Sequence, residues 1–281
     1  MSATRTAVAV LQRVRRLQAR LARRLLLWNK ALLQRCRGTS TGRTQVFVVG
    51  MQRSGTNMLV DCLERSYQTD VYHETDPRAF DQYLMREPAV IRQLVQRSPA
   101  ECFVIKALCE LDRLPMLATA FAPAKIVWIV RDYNDVVNSA RVSFKSLPGD
   151  MTRLAADRDG ADWRGRGMSD ATHVLLRRLY TPGSSADTAI ALFWYLRNIL
   201  FFEQGWDRDP RVLLVRYERL VTQPEQEFRR LFTFLGLRYA PRISRHVFAH
   251  SIGRRETPAI APEVRAVCED LLARFAAVQD G

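Results

Sequence analysis

The sequence predicts an α/β fold, a three-layer sandwich around a parallel sheet, preceded by a basic amphipathic helix. Three observations carry this. Short apolar runs alternate with helical patterns through the whole of residues 45–235. The first run passes straight into a glycine-bounded turn, Gly50-Met-Gln-Arg-Ser-Gly55, and then an amphipathic stretch. Finally, the first 45 residues hold eleven Lys/Arg and no acid.

The N-terminal segment comes first. Val10, Val14, Leu17, Leu21, Leu25, Trp28 and Leu32 recur at helical spacing over residues 7–35. Charges interrupt every apolar window, so neither a membrane span nor a clean signal peptide is expected. Three readings stand: a helix lying on an anionic membrane surface, a helix packing on the main domain or a second copy, or a transit segment. The Gly- and Thr-rich stretch 38–44 then separates residues 1–44 from a main domain at 45–281. Of 43 Lys/Arg and 29 Asp/Glu in the 281-residue chain, the acids all fall after residue 45. The main domain is therefore near neutral, which argues against nucleic-acid binding there.

Strands are expected at Val46–Val49, Asp70–Tyr72, Cys102–Ile105, Lys125–Val130 and Arg211–Val215. Helical patterns occupy 56–66, 78–97, 111–121, 133–143, 187–204 and 224–235. Residues 146–184 are rich in Gly, Asp and Arg and weakly periodic, and read as a long surface excursion that could form a lid or an acceptor-binding wall. The aromatics Phe193-Trp194-Tyr195 read as the core of a long helix capped by Ser185, and His173 as structural. Five cysteines without a C-x-x-C pair fit small buried hydrophobes in a reducing compartment. The four histidines show no metal-binding spacing.

Ligands of such sheets sit at the carboxyl ends of the strands. The 50–57 turn, opening a helix, is an anion cradle of backbone N–H groups. Its Gly50-to-Gly55 spacing matches a nucleoside-triphosphate loop, but Thr56 stands where that loop needs Lys, and Arg53 is its one cation. The cradle suits a phosphate-containing anion other than a magnesium-bound triphosphate. Other strand ends offer His73-Glu74, then Lys106, then Arg131-Asp132 with Ser139 eight residues on. An arginine at a strand end can pin a phosphate bidentately.

Together these motifs resemble the sulfotransferases that use 3′-phosphoadenosine 5′-phosphosulfate. That family carries R/K-S-G-T-T after its first strand; this chain has Arg53-Ser54-Gly55-Thr56-Asn57. It carries R-D-P-x-D-V-x-x-S; this chain has Arg131 to Ser139, with Tyr133 in place of Pro. It carries a late strand ending in Y-E-D-L, then P-E and F-L-G-L. This chain has Tyr217-Glu218-Arg219-Leu220, Pro224-Glu225 and Phe234-Leu235-Gly236-Leu237.

The resemblance implies a 5′-phosphosulfate site at Arg53, Ser54, Gly55, Thr56 and Asn57, and a 3′-phosphate site at Arg131 and Ser139. It adds Tyr217 and, in a basic closing loop, Arg254 to the donor-binding set. It implies a general base at Glu74, with His73 as runner-up pointing to the other side of the strand end, and support from Arg53 and Lys106. No metal is expected, because no triphosphate is bound. The acceptor is a small molecule, glycan or lipid-linked group; the location is cytoplasmic, with a peripheral position on the inner face of a membrane open. The competing readings are an ATP-dependent kinase on the same scaffold and a non-catalytic membrane adaptor.

Overall fold

Five parallel strands form the central sheet in the order β2-β5-β1-β6-β7. They are β1 (Thr44–Gly50), β2 (Thr69–Tyr72), β5 (Cys102–Lys106), β6 (Ala124–Val130) and β7 (Val212–Arg216). The computed structural model describes residue 21 and residues 25–34, 43–249 and 257–278. Alternation along β1 sends Val46 and Val48 into one core and Phe47 and Val49 into the other. Helices α2 (Thr56–Glu64), α10 (Tyr217–Thr222) and α11 (Pro224–Leu235) cover the Val46 face. Helices α4 (Leu114–Ala120), α5 (Tyr133–Ala140), α6 (Leu147–Ala156), α8 (Ala186–Asn198) and α12 (Pro262–Ala277) cover the other. This is the expected three-layer α/β architecture. The chain builds β2 and β5 on one side of β1 and then crosses to β6 and β7, which opens a crevice at the carboxyl ends around β1.

Two stretches depart from the sequence reading. The helical pattern at 78–97 divides: β3 (Phe80–Asp81) and β4 (Leu84–Met85) form a hairpin, and helix α3 starts only at Pro88 and runs to Arg97. Gln82 and Tyr83 take positive φ at its tip, which a helix cannot hold, and Pro88 resets the chain at a first helical position. The supposed excursion at 146–184 is largely ordered helix, α6 and α7 (Asp170–Leu179). Leu147, Met151 and Leu154 bury against the core at helical spacing. His173 Nε2 donates to the Leu154 carbonyl at 2.9 Å, a structural contact. The stretch at 187–204 breaks between α8 and α9 (Leu200–Glu203).

Residues 25–34 are helical and form α1. Their contact with the domain is polar. Lys30 Nζ donates to the Glu64 carbonyl (2.8 Å) and to Thr69 Oγ1 (3.1 Å), and Gln34 Nε2 donates to the Tyr67 and Thr69 carbonyls. These polar contacts satisfy the end of α2 and the edge strand β2. Burial lowers the Lys30 pKa to about 8, against the pull of Asp70 and Glu64. The leucines of the expected apolar stripe, Leu21, Leu25 and Leu32, and Trp28 with them, lie exposed on the opposite side. Among the described residues no helix is long and apolar enough to cross a membrane.

The described cysteines, Cys62, Cys102, Cys109 and Cys268, are buried free thiols, and burial raises the first three to about 12. They are inert packing groups.

Candidate active site

The turn after β1 is shaped by two glycines. A Cβ on Gly50 would lie 2.3 Å from the Ile129 carbonyl, and one on Gly55 would lie 2.3 Å from the Tyr217 ring. Both take positive φ, so no other residue serves at either place. Gly55 caps α2 in the left-handed region without a side-chain hydrogen bond, and the first turn of α2 holds no acid. The opening N–H groups of the helix are thereby left to an anion. Arg53 adopts φ of 71°, a strained value for a non-glycine residue that turns its side chain back across the cleft. Ser54 is fully buried, and its Oγ has no hydrogen-bond partner among the described residues. An orphaned buried hydroxyl inside an anion cradle fits a bound phosphate or sulfate oxygen.

The second cluster faces the same cleft. Arg53 Nε donates to Ser139 Oγ at 3.0 Å, and Arg131 Nη1 donates to the Arg53 carbonyl at 3.3 Å. Ser139 therefore meets the loop arginine directly, a contact beyond the simple pairing of Arg131 with Ser139 expected from the motif. The Arg131 guanidinium stacks 4.3 Å above the Tyr217 ring and lies 3.4 Å from Asp135. Arg53, Gly55, Thr56, Asn57, Arg131 and Ser139 line one cleft of about 680 Å³, with Tyr217 closing it. That size suits a nucleotide-sized ligand. Arg254 lies outside the described residues.

The other end of the cleft is built from three strand ends. Lys106, almost wholly buried at the end of β5, donates to Asn57 Oδ1 at 2.5 Å and pairs with Glu74 Oε1 at 2.9 Å. β5 is internal to the sheet, and the ammonium ties the Glu74 carboxylate to the turn after β1. His73 turns the other way. Its Nε2 lies 3.4 Å from Glu64 and 3.9 Å from Asp61, and it lines a neighbouring cavity rather than this cleft. Asp61, Glu64 and His73 bring possible ligand atoms within 4.8 Å of one another, a grouping that sequence spacing does not show.

The motifs contain Asp132 and Glu218 without showing what they hold, and do not contain Trp194. Asp132 caps α5, its Oδ1 accepting the Asn134 N–H at 2.8 Å. Glu218 accepts the Asp132 N–H at 3.0 Å, and burial raises the Glu218 pKa. Trp194 Nε1 donates to the Arg131 carbonyl at 2.9 Å. The Arg131 loop is thus held from α5, α8 and α10 at once. Tyr217 begins α10 rather than ending a strand, which is what lays its ring over Gly55 and Arg131. Only the Tyr-Glu and Arg-Asp pairs signal these contacts in the sequence.

Asp187 anchors the chain just beyond the Arg254 segment. It accepts two bonds from Arg141 (2.8 and 2.6 Å) and the Ala259 N–H (2.9 Å). The Arg141 hydrogen bonds hold its carboxyl below the ordinary 3.8. A carboxylate lowered on folding stabilises above its unfolded pKa and loses that contribution as pH falls through the folded value. Acid titration of the wild type should show an added loss of stability below pH 3.8. In Asp187→Asn that acid-dependent slope should flatten, as read by circular dichroism. An unchanged slope would show that this pair contributes nothing.

A sulfotransferase domain model matches residues 43–252. The chain belongs to the sulfotransferase family, enzymes that take a sulfuryl group from 3′-phosphoadenosine 5′-phosphosulfate and pass it to an acceptor. Three solved structures are similar to it. The sulfotransferase domain of a Synechococcus olefin synthase shares 15% identity over 84% of this chain and 95% of its own, with a TM-score of 0.46. A mouse sulfotransferase complexed with PAP shares 16% over 85% and 86%, at 0.44. A sulfotransferase from Alicyclobacillus acidocaldarius shares 18% over 84% and 92%, at 0.46. No curated protein sequence matches.

Proposed function

We propose that the chain binds 3′-phosphoadenosine 5′-phosphosulfate across the two ends of the cleft and transfers its sulfuryl group to a hydroxyl or amine of an acceptor, a glycan or glycolipid being the class favoured. The observation that carries this is the single cleft shared by the Arg53-to-Asn57 loop and the Arg131–Ser139 pair. Ser54, Gly55, Thr56 and Asn57 would hold the 5′ end with Arg53; Arg131, stacked on Tyr217, would hold the 3′-phosphate with Ser139. The bound donor supplies an electrophilic sulfur and a phosphate leaving group.

The chain's own chemistry follows from Lys106. Its ammonium fixes the Glu74 carboxylate at the mouth of the loop, where Glu74 would take the acceptor proton. Asn57, Arg53 and Lys106 would place positive or donor groups where negative charge grows on the departing phosphate. His73 pairs instead with acids on α2, which favours Glu74 for this role.

The kinase alternative lacks a lysine at Thr56. Thermal unfolding of the full chain discriminates: the bisphosphate 3′-phosphoadenosine 5′-phosphate at about 100 times its Kd should raise stability by about 2.7 kcal/mol. ATP with magnesium should leave the midpoint in place. Stabilisation by ATP alone would sink the donor assignment.

The same reading divides the chain into residues 1–44 as a basic arm and 45–281 as the sulfotransferase domain, the first strand of which starts one residue earlier, at Thr44. The exposed stripe Leu21, Leu25, Trp28 and Leu32 on an arm rich in arginine supports docking on an anionic membrane surface.

A further inference from the structure

A second cavity, of about 720 Å³, opens beside the donor cleft. Its walls come from α1 (Leu27, Lys30, Ala31 and Gln34), from the exposed side of α2, and from the turn after β2. Asn57, Glu74 and Lys106 line both cavities, so the two meet at the proposed base. We infer that this second cavity is the acceptor site, that α1 completes it, and that it takes an uncharged polyhydroxylated group such as a saccharide. The inference rests on the reading of Glu74 as base.

Geometry fixes the location. An acceptor oxygen has to reach Glu74 from a side the donor does not fill. The donor loop occupies the cleft on the Arg131 side of Lys106. The α1 side is a second approach that touches Glu74 and Lys106 together, away from Arg131 and Ser139. The wall is also complete only with α1 in place, because Lys30 and Gln34 bond the ends of α2 and β2 and hold Leu27 and Ala31 over the opening.

Charge and chemistry fix the class. Carboxylates of Asp61, Glu64, Asp70, Glu74 and Asp76 line the space, with the His73 imidazole set against Asp61 and Glu64. The cations beside them are engaged: Lys106 with Glu74, Arg78 with Asp76 at 2.6 Å, Lys30 with backbone and hydroxyl oxygens. Carboxylates accept hydrogen bonds, and hydroxyl groups donate them. An anionic acceptor would meet like charge on several sides. The lining has few large apolar side chains, which leaves little for a flat hydrophobic acceptor to stack on.

The experiment uses the full chain with neutral p-nitrophenyl glycosides (glucose, galactose, N-acetylglucosamine) and the matching glucuronide as acceptors, reading transfer of labelled sulfate. Ala31→Phe fills the cavity from the helix; Asn29→Phe adds the same bulk on the exposed side of α1. At least one neutral glycoside should be sulfated in preference to the glucuronide. Ala31→Phe should raise the acceptor KM by about tenfold or more. Asn29→Phe should match wild type, and affinity for 3′-phosphoadenosine 5′-phosphate should hold in both variants. A preference for the glucuronide, or the absence of transfer to every neutral glycoside, overturns the class. An Ala31→Phe enzyme that keeps its acceptor KM, or one matched in its loss by Asn29→Phe, overturns the location. Failure of the wild type to bind the bisphosphate at all would instead remove the underlying donor reading.

Discussion

Glu74→Gln is expected to lower kcat by about 10²–10⁴-fold while leaving the affinity for 3′-phosphoadenosine 5′-phosphate unchanged. The substitution keeps the volume of the side chain and an oxygen that can accept from Lys106, so the 2.9 Å contact has a neutral successor. What it removes is the ability to take a proton. A group that acts only on the acceptor proton should cost kcat and kcat/KM together. His73→Ala is the matched control. Its imidazole sits against Glu64 and Asp61 on the wall of the second cavity, so its loss should leave kcat little changed and raise the acceptor KM instead. If Glu74→Gln turned over near the wild-type rate and His73→Ala did not, the base would have to be reassigned and Lys106 would be left with a purely structural carboxylate.

That contrast between two adjacent residues was legible in the sequence. Alternation along a strand end gives His73 and Glu74 different partners, Glu64 for the one and Lys106 for the other, although both line the second cavity. The turn after β1 was legible for a similar reason: glycine spacing encodes local backbone geometry, which is a short-range property. The hairpin inside 78–97 was not, because an apolar period of helical length also fits a strand pair followed by a helix, and positive φ at Gln82 and Tyr83 leaves little trace in residue type. Likewise Trp194 reads as core in the sequence and is core, yet its indole N–H reaches across 63 positions to the Arg131 carbonyl. The docking of α1 was hidden by its own pattern. The periodic apolar residues suggest the packed face, whereas Lys30 and Gln34 make the contact because an edge strand and a helix end offer bare carbonyls.

Arg131→Ala should weaken binding of 3′-phosphoadenosine 5′-phosphate by about 10- to 150-fold, the span set by losing a charge-assisted hydrogen bond worth about 1.5–3 kcal/mol. The loss should depend on one phosphate. Adenosine 5′-phosphate, which lacks the 3′ group, should bind wild type and variant with nearly equal affinity. This selectivity separates ligand binding from scaffolding. Arg131 also stacks on Tyr217, bonds the Arg53 carbonyl and pairs with Asp135, so its removal could disturb the loop as a whole. Disturbance of that kind would weaken both nucleotides alike. Arg131→Lys refines the contrast: it keeps the charge but not the planar fork, and should recover only part of the affinity. Equal loss for the two nucleotides would move Arg131 from the binding site to the framework and leave the 3′-phosphate without its proposed anchor.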